Sequence, residues 1–280
     1  MSSPNQIGSV VRGAYSRRLI LIAALVFIPL SRMSAQEHDE DHDHDHLHFS
    51  HPIVTESPSP DTKIRLDYVL ARTSGPSDVR ENTFRFEGEY AFSHGVSLAF
   101  VTPFTSRTAA STPRVSGLGN VELSLKAASL AFGEHGLLLG GGLSAALPTG
   151  SDAKGIGSSH IVELEPFLDA GYKENEFELV GFAILSSTFH RRAGEEAERS
   201  LIFNFSTLYH LQSRLEGLIE VTTARALVGP ESRSQRTFVA PGLKLYPFTN
   251  RRLMFGTSVE LGTGFVRDTR IMLVSAFYHF

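Results

Sequence analysis

The stretch Arg270–Phe280 reads RIMLVSAFYHF and ends the sequence on an alternating pattern. Side chains two residues apart share one face of a β-strand. One face of this strand is wholly apolar and consists of Met272, Val274, Ala276, Tyr278 and Phe280. Such a strand needs partners on both edges and a non-aqueous surface for its apolar face, which a closed barrel in a lipid bilayer supplies. The last strand of a soluble β-sandwich is the alternative that this stretch leaves open.

The first 35 residues have the order of a secretory signal. Basic residues precede an apolar run over 19–30, and the small residues of 31–35 follow it. This run is too short to cross a bilayer as a helix, which needs roughly 20 residues. We therefore predict a signal peptide over 1–35, with cleavage near Ala35. No later segment is apolar over such a length, so any membrane crossing must be made by strands.

Residues 62–280 form a series of alternating segments separated by turn signals, without sustained helical periodicity. The predicted strands are 62–72, 80–92, 95–105, 119–131, 136–148, 160–172, 176–188, 199–210, 213–225, 236–247, 251–264 and 270–280. An even number of strands is typical of single-chain bacterial barrels. The predicted fold is all-β: an antiparallel up-and-down transmembrane β-barrel of about twelve strands, preceded by a disordered tail.

The connections between these strands alternate in length. Two residues, 93–94, separate the second and third strands, whereas thirteen residues, 106–118, separate the third and fourth. Outer-membrane barrels have short periplasmic turns and longer outer loops. The alternation therefore predicts a protein of the bacterial outer membrane, with both termini in the periplasm.

Charged residues alternate with the apolar residues of the strands. In the second strand, Arg85, Glu87 and Glu89 oppose Phe84 and Phe86. A basic residue facing lipid at mid-depth costs on the order of 2 to 4 kcal/mol, so the charged face belongs inside. The predicted lumen-lining residues are Lys63, Arg65, Asp67, Arg85, Glu87, Glu89, Glu122, Lys126, Glu163, Glu165, Asp169, Glu178, Glu216, Glu220, Lys244, Arg252 and Glu260.

The lumen-lining set contains more acids than bases, and it permits two interpretations. A barrel of this size is intermediate between barrels filled by side chains and water-filled porins, so the interior should be narrow. A small pore with an acidic wall would favour cations or tolerate neutral solutes. The alternative is a network of ion pairs that blocks the lumen.

Residues 36–61 are rich in histidine, acids and proline. High charge without apolar periodicity predicts a disordered periplasmic tail. Imidazoles and neighbouring carboxylates bind Zn, Cu or Ni, so we predict metal ligands in this tail. The candidate ligands are His38, His42, His44, His46, His48 and His51. A solvated acidic spacer is the alternative, and no cofactor is required by the rest of the sequence.

Other classes of function have little support. Cysteine is absent, which excludes a thiol nucleophile and a disulfide framework. The formal net charge of −4, without a basic stripe, argues against nucleic acid. A lipid hydrolase of the outer membrane would need a serine and a histidine within reach of an orienting group. His160 and His190 lie near serines without an orienting pattern, so an enzyme is the weaker alternative.

Two short motifs resemble a known family of barrels. Gly117-Leu118-Gly119-Asn120 opens a strand that contains Lys126, and Leu147-Pro148-Thr149-Gly150 closes the following hairpin. This arrangement resembles the outer-membrane proteins of the meta-pathway phenol-degradation, or transporter-like, family. The resemblance implies a barrel that takes up small, often hydrophobic compounds. Asn120 departs from the aspartate of that pattern.

The final residue has an expected role of its own. An aromatic C-terminus such as Phe280 resembles the signal that the outer-membrane insertion machinery reads. The expected partners are therefore outer-membrane lipids, this assembly machinery and a small-molecule solute. The sequence predicts a narrow channel or transporter, or else a non-conducting barrel that anchors a metal-binding tail.

Overall fold

A computed structural model describes residues 47–74, 78–93, 95–110, 112–132, 136–189, 196 and 198–280. Thirteen antiparallel strands make up almost all of the regular structure in these ranges. They are β1 (Lys63–Thr73), β2 (Val79–Ser93), β3 (Val96–Ala109), β4 (Thr112–Leu118), β5 (Glu122–Phe132), β6 (Leu137–Ala146), β7 (Val162–Glu174), β8 (Phe177–Phe189), β9 (Arg199–Gln212), β10 (Leu215–Val228), β11 (Gln235–Leu245), β12 (Leu253–Thr263) and β13 (Thr269–His279). Two short 3₁₀ turns cover Asp152–Lys154 and Gly264–Val266. No helix in the described ranges is long and apolar enough to cross a membrane.

The sheet closes on itself through its first strand. Lys63 of β1 lies opposite Glu89 of β2 on one side and opposite His279 of β13 on the other. Every other strand pairs with its neighbours in chain order, except around β3. One half of β3 pairs with β4 and the other half with β5, so these two strands share one position in the wall. The predicted twelve-stranded antiparallel barrel is therefore confirmed.

The predicted loop 106–118 is wrong. β3 instead continues to Ala109 and turns back into β4, with Ser106 opposite Ser116. Polar residues such as these occupy both faces of the hairpin, so it lacks the alternation that marks the other strands. The fourth wall position is interrupted after Leu118 and resumes at Glu122 as β5, later than predicted.

The turn between β11 and β12 is also longer than predicted. It covers residues 246–252 rather than 249–250, which makes it longer than the connection 229–234 at the opposite end. Pro247 has no backbone N–H to continue the ladder, and Arg251 adopts a positive φ of 54°. Short and long connections therefore do not alternate strictly. Arg252, predicted for the lumen, lies exposed in this turn.

The two faces of the wall differ in character. Large apolar side chains such as Leu66, Phe84, Tyr90 and Leu168 are exposed on the outer face, as a surface covered by lipid requires. The inner face is mostly polar and buried, and it also carries an apolar cluster. Phe49 and Ile53 belong to that inner cluster although they precede β1. The lumen is thus filled partly by a segment that is not in the wall.

Candidate functional site

Residues 47–61 lie inside the barrel, and we call this segment the plug. Phe49 and Ile53 are both 0% exposed. A Cβ added at Gly171 would lie 2.7 Å from the ring of Phe49, and one at Gly256 would lie 2.9 Å from Cδ1 of Ile53. Glycines on the inner face therefore leave the space that the plug fills. Over 47–61 the structure therefore differs from the disordered tail predicted for 36–61, whereas residues 36–46 and the predicted signal peptide lie outside the described residues.

Two wall carboxylates hold the plug by its backbone. The N–H of Val54 donates to Glu220 Oε2 at 2.9 Å, and the N–H of Thr55 donates to Oε1 at 2.8 Å. Farther along the plug, the N–H of Ser50 donates to Glu178 Oε2 at 2.8 Å. Hydrogen bonds to a charged acceptor are about twice as strong as neutral ones. Glu178 and Glu220 are fully buried, so these bonds are shielded from water.

A basic patch on β1 and β5 holds the other side of the plug. Glu56 of the plug accepts from Lys63 Nζ at 3.0 Å and from Arg65 Nη1 at 3.2 Å. The Nζ of Lys126 donates to the carbonyl of Ser57 at 2.9 Å, and Arg65 donates to the carbonyl of Ile53. Burial alone would raise the pKa of Glu56, but the neighbouring cations hold it well below its usual range.

The basic patch is itself balanced by acids of the wall. Lys63 Nζ lies 2.9 Å from Glu89 and 3.2 Å from Glu87. Arg65 pairs with Asp67 at 2.8 Å, and Asp67 also meets Arg85 at 2.7 Å. The predicted ion-pair network is thus present on this side of the lumen, and Glu56 of the plug is built into it.

A second set of buried pairs lies on the opposite wall. Lys244 donates to Glu216 Oε2 at 2.5 Å, and the hydroxyl of Tyr246 donates to the same oxygen at 3.0 Å. His210 lies between two carboxylates, 2.8 Å from Glu216 and 3.3 Å from Glu178. Through His210, these pairs connect Glu178, which holds the plug, to Glu216 on β10.

Three histidines meet one carboxylate where the plug joins β1. His48 Nε2, His51 Nε2 and His279 Nδ1 each lie 3.0 Å from Asp61 Oδ2. The other ring nitrogen of His51 lies 3.1 Å from Lys63 Nζ. Burial and the neighbouring Lys63 together lower the pKa of His51 to about 3, so this ring is neutral at pH 7. Burial alone would raise the pKa of Asp61, but its histidine hydrogen bonds hold it far below its usual range.

This histidine cluster includes two of the predicted metal ligands. Donor atoms of His48, His51 and Asp61 all lie within 4.8 Å of one another, close enough to share an ion. Asp61 and His279 also belong to this cluster, and neither was among the predicted ligands. Asp61 precedes β1 and His279 ends β13, and these strand ends meet only when the barrel closes. The other predicted ligands, His38, His42, His44 and His46, lie outside the described residues.

Five inner carboxylates neither hold the plug nor join the ion-pair networks of the wall, and we call them the acidic chamber. Its members are Glu122, Glu163, Glu165, Asp169 and Glu260. Among the described residues, none of them makes an ion pair within 4 Å. Asp169 is 5% exposed, and neither of its oxygens has a hydrogen-bond partner in the described part of the chain. These five carboxylates therefore lack basic partners among the described residues.

Other predicted site residues occupy different surroundings. Phe280 is exposed outside the barrel, where its ring packs against Tyr278 and its N–H donates to the carbonyl of Thr62 at 3.1 Å. Glu56 is the plug residue that the sequence analysis missed. The excess of acids over bases on the wall was a usable signal for the backbone donors of the plug but not for Glu56, because buried carboxylates need donors from elsewhere in the chain.

The candidate hydrolase residue His160 meets Asp152 and Ser158 in the connection 147–161, whereas His190 lies outside the described residues. Nδ1 of His160 lies 2.9 Å from Asp152 Oδ2 and 3.4 Å from Ser158 Oγ. A catalytic triad places the acid on one ring nitrogen and the nucleophile on the other. Here both groups lie at the same nitrogen, so Asp152, His160 and Ser158 do not match that arrangement, and their hydrogen bonds order the connection.

The two motifs that carried the family resemblance pack against each other. Oδ1 of Asn120 accepts from the N–H of Ser158 at 2.8 Å and from that of Gly150 at 3.2 Å. The hydroxyl of Thr149 donates to the carbonyl of Gly119 and accepts from the N–H of Val121. These hydrogen bonds give the two motifs a structural role. They hold the connection 147–161 against residues 119–121, which separate β4 from β5.

Known proteins match this chain in structure rather than in sequence. No family model matches it, and no curated protein is similar to it. An outer membrane channel from Pseudomonas putida F1 is 14% identical, with a TM-score of 0.58, and the match covers 79% of this chain and 96% of that one. The NanC porin is 11% identical, with a TM-score of 0.53, covering 77% of this chain and 100% of that one.

The translocator domain of the autotransporter NalP from Neisseria meningitidis is also similar. It is 10% identical, with a TM-score of 0.54, and the match covers 79% of this chain and 88% of that domain. Likeness at such low identity establishes the fold alone. The resemblance to the meta-pathway phenol-degradation family stays a prediction. The chain therefore has the barrel fold found in outer-membrane porins, channels and translocator domains.

Proposed function

We propose that this protein is an outer-membrane channel for small solutes whose lumen is closed by its own plug. The proposal rests on the hydrogen bonds that Glu178 and Glu220 accept from backbone N–H groups of the plug. Through these carboxylates and the inner-face glycines, the inner face of the wall fits the plug. The plug itself is not a strand of the wall. The apolar outer face supports a position in the membrane, and we assign the termini to the periplasmic side.

An open state of this channel is physically accessible. The wall groups that hold the plug are charged, so water could hydrate them once the plug left the lumen. Release would expose Phe49 and Ile53 at a cost of about 1.5 to 3 kcal/mol per side chain. The plug would also give up its hydrogen bonds and ion pairs with the wall, for which water would substitute, so the plug suits a reversible closure.

The acidic chamber supplies the proposed selectivity. Carboxylates without basic partners attract cations and repel anions inside a narrow lumen. Neutral solutes are tolerated because they carry no charge for the wall to repel. The expected partners, namely outer-membrane lipids, the assembly machinery and a small solute, remain predictions.

The reversal potential in a salt gradient tests this selectivity. We expect open channels to favour potassium over chloride, and Glu165→Gln/Glu260→Gln to reduce the permeability ratio about threefold or more. The matched control is Glu174→Gln/Glu176→Gln, because these acids are exposed outside the lumen. Equal ratios for wild type and the chamber variant would contradict the proposal.

The histidine cluster supports a second function, in which a divalent transition metal binds beside the plug. Imidazole nitrogen and carboxylate oxygen are suitable ligands for Zn, Cu and Ni. His48, His51 and Asp61 could hold such an ion, which would fasten the plug to the start of β1. Lys63 opposes the ion, because its ammonium group lies 3.1 Å from His51 Nδ1. We therefore expect modest affinity at this cluster.

Zinc titration by calorimetry distinguishes the cluster from the rest of the tail. We expect His48→Gln/Asp61→Asn to weaken one class of zinc sites about tenfold or more, because two ligands are lost. Deleting residues 36–46 should leave that class intact. If the deletion abolished all zinc binding and the double substitution changed nothing, the ligands would lie in the tail alone.

A further inference from the structure

Arginines lie side by side on the outer face of the barrel, at the end opposite Phe280. Arg72 of β1 lies directly opposite Arg270 of β13 and Arg80 of β2. Arg114 of β4 extends the line, since its Nε donates at 2.7 Å to Ser106 of β3, the strand beside β2. All four arginine side chains are exposed. We call Arg72, Arg80, Arg114 and Arg270 the arginine row.

The arginine row marks the edge of the apolar belt. Tyr68, Phe84 and Phe104 lie opposite one another across β1, β2 and β3 on the same outer face. Arg72 follows Tyr68 by four residues, or about 13 Å along the strand. The row therefore lies where acyl chains packed against the aromatic residues would give way to headgroups.

The charges of the row are poorly compensated by the protein. Like charges directly opposite each other on neighbouring strands destabilise the pairing. Asp78 lies 3.6 Å from Arg72 and 3.7 Å from Arg80, but both contacts are exposed and long. Arg270 makes no ion pair or hydrogen bond through its side chain among the described residues. A bridging anion would remove the repulsion between these guanidinium groups.

We propose that the arginine row binds the phosphate groups of an anionic lipid in the outer leaflet. Guanidinium groups bind phosphate in a bidentate manner, and a line of them suits a headgroup with more than one phosphate. The apolar belt directly below the row identifies a lipid rather than a free anion, because acyl chains gain contact with Tyr68 and Phe84. This inference rests on the proposed orientation, with the row on the extracellular side.

Native mass spectrometry of the detergent-solubilised full chain tests the site, with bisphosphorylated lipid A as the probe. We expect Arg72→Gln/Arg80→Gln/Arg270→Gln to reduce the bound fraction about tenfold. The control, Arg214→Gln/Arg233→Gln/Arg252→Gln, removes the same charge from exposed positions outside the row and should bind as wild type does. Dephosphorylated lipid A should bind wild type no better than it binds the row variant.

Several outcomes would overturn the proposal. These are equal lipid A binding by the row variant and wild type, an equal loss in the control, and full displacement by excess inorganic phosphate. If the triple variant lacks the heat-modifiable mobility of a closed barrel, Arg270→Gln alone serves, with a reduction of about threefold expected. Conductance is recorded separately in zwitterionic bilayers. Phosphate-dependent lipid binding by a chain that stays non-conducting even after deletion of residues 47–57 would count against the plugged channel and leave this inference standing.

Discussion

Deleting residues 47–57 should convert a closed barrel into a conducting one. The deletion removes Phe49, Ile53 and Glu56, which together fill the lumen and enter the ion-pair network of the wall. Glu178 and Glu220 would then face water instead of the plug backbone. In planar-bilayer recordings we expect the mean conductance to rise about tenfold or more over the full chain.

The matched control for this experiment deletes residues 36–46 and keeps the plug. It removes a similar number of residues, including His38, His42, His44 and His46, and should leave conductance unchanged. If the plug deletion showed the heat-modifiable mobility of a closed barrel and still failed to conduct, the ion pairs of the wall, such as Lys63 with Glu89, would block the lumen. If the full chain conducted as strongly as the deletion, the plug would not be a closure.

The sequence predicts the barrel wall well because the wall is a local pattern. Each strand alternates apolar outward and polar inward residues, as in Leu66 and Asp67 of β1, and this alternation needs no knowledge of distant residues. The inward positions of Glu87 and Glu220 follow from the same parity. The alternation disappears in β4, where Ser106 and Ser116 pair beyond the apolar belt, and the prediction fails there.

The plug could not be predicted in the same way, because its contacts are distant in sequence. Ser50 is 128 residues from Glu178, and Val54 is 166 residues from Glu220. Locally, the segment has the prolines and charge of a disordered chain, and it forms no regular structure even inside the barrel. Its order comes from donors and acceptors on the wall, which come together only after closure.

The histidine cluster shows the same limitation at the level of a site. His48 and His51 were identified by composition, whereas Asp61 and His279 join them through the pairing of β1 with β13. Lys63 then determines the tautomer of His51, since its ammonium can only donate to Nδ1. Composition predicted metal affinity but could not predict that one ring faces a buried cation.

Substituting Glu220 by glutamine should release the central part of the plug. The Glu220 carboxylate accepts from three consecutive backbone N–H groups, those of Ile53, Val54 and Thr55. Glutamine has the same size but loses the charge and replaces one acceptor with a donor. A hydrogen bond to a charged group contributes about 1.5 to 3 kcal/mol, so the open fraction should rise at least about tenfold.

A single cysteine in the plug makes this opening measurable, because the chain has no other cysteine. Thr55 is suitable for Thr55→Cys: its side chain is 1% exposed, and its Oγ1 has no hydrogen-bond partner in the described part of the chain. Maleimide can reach this thiol only when the plug leaves its place. We expect Glu220→Gln to increase the labelling rate of Thr55→Cys about tenfold or more.

The matched control is Glu176→Gln, which removes an exposed carboxylate from a turn between strands and should not change the labelling rate. A Glu220→Gln rate equal to that of the control would mean that Phe49, Ile53 and Glu56 hold the plug without this carboxylate. If Thr55→Cys were labelled rapidly even with the native Glu220 in place, Thr55 would be in contact with solvent, which would contradict the closed lumen. Slow labelling there and fast labelling in Glu220→Gln would identify this carboxylate as the main holding point of the plug.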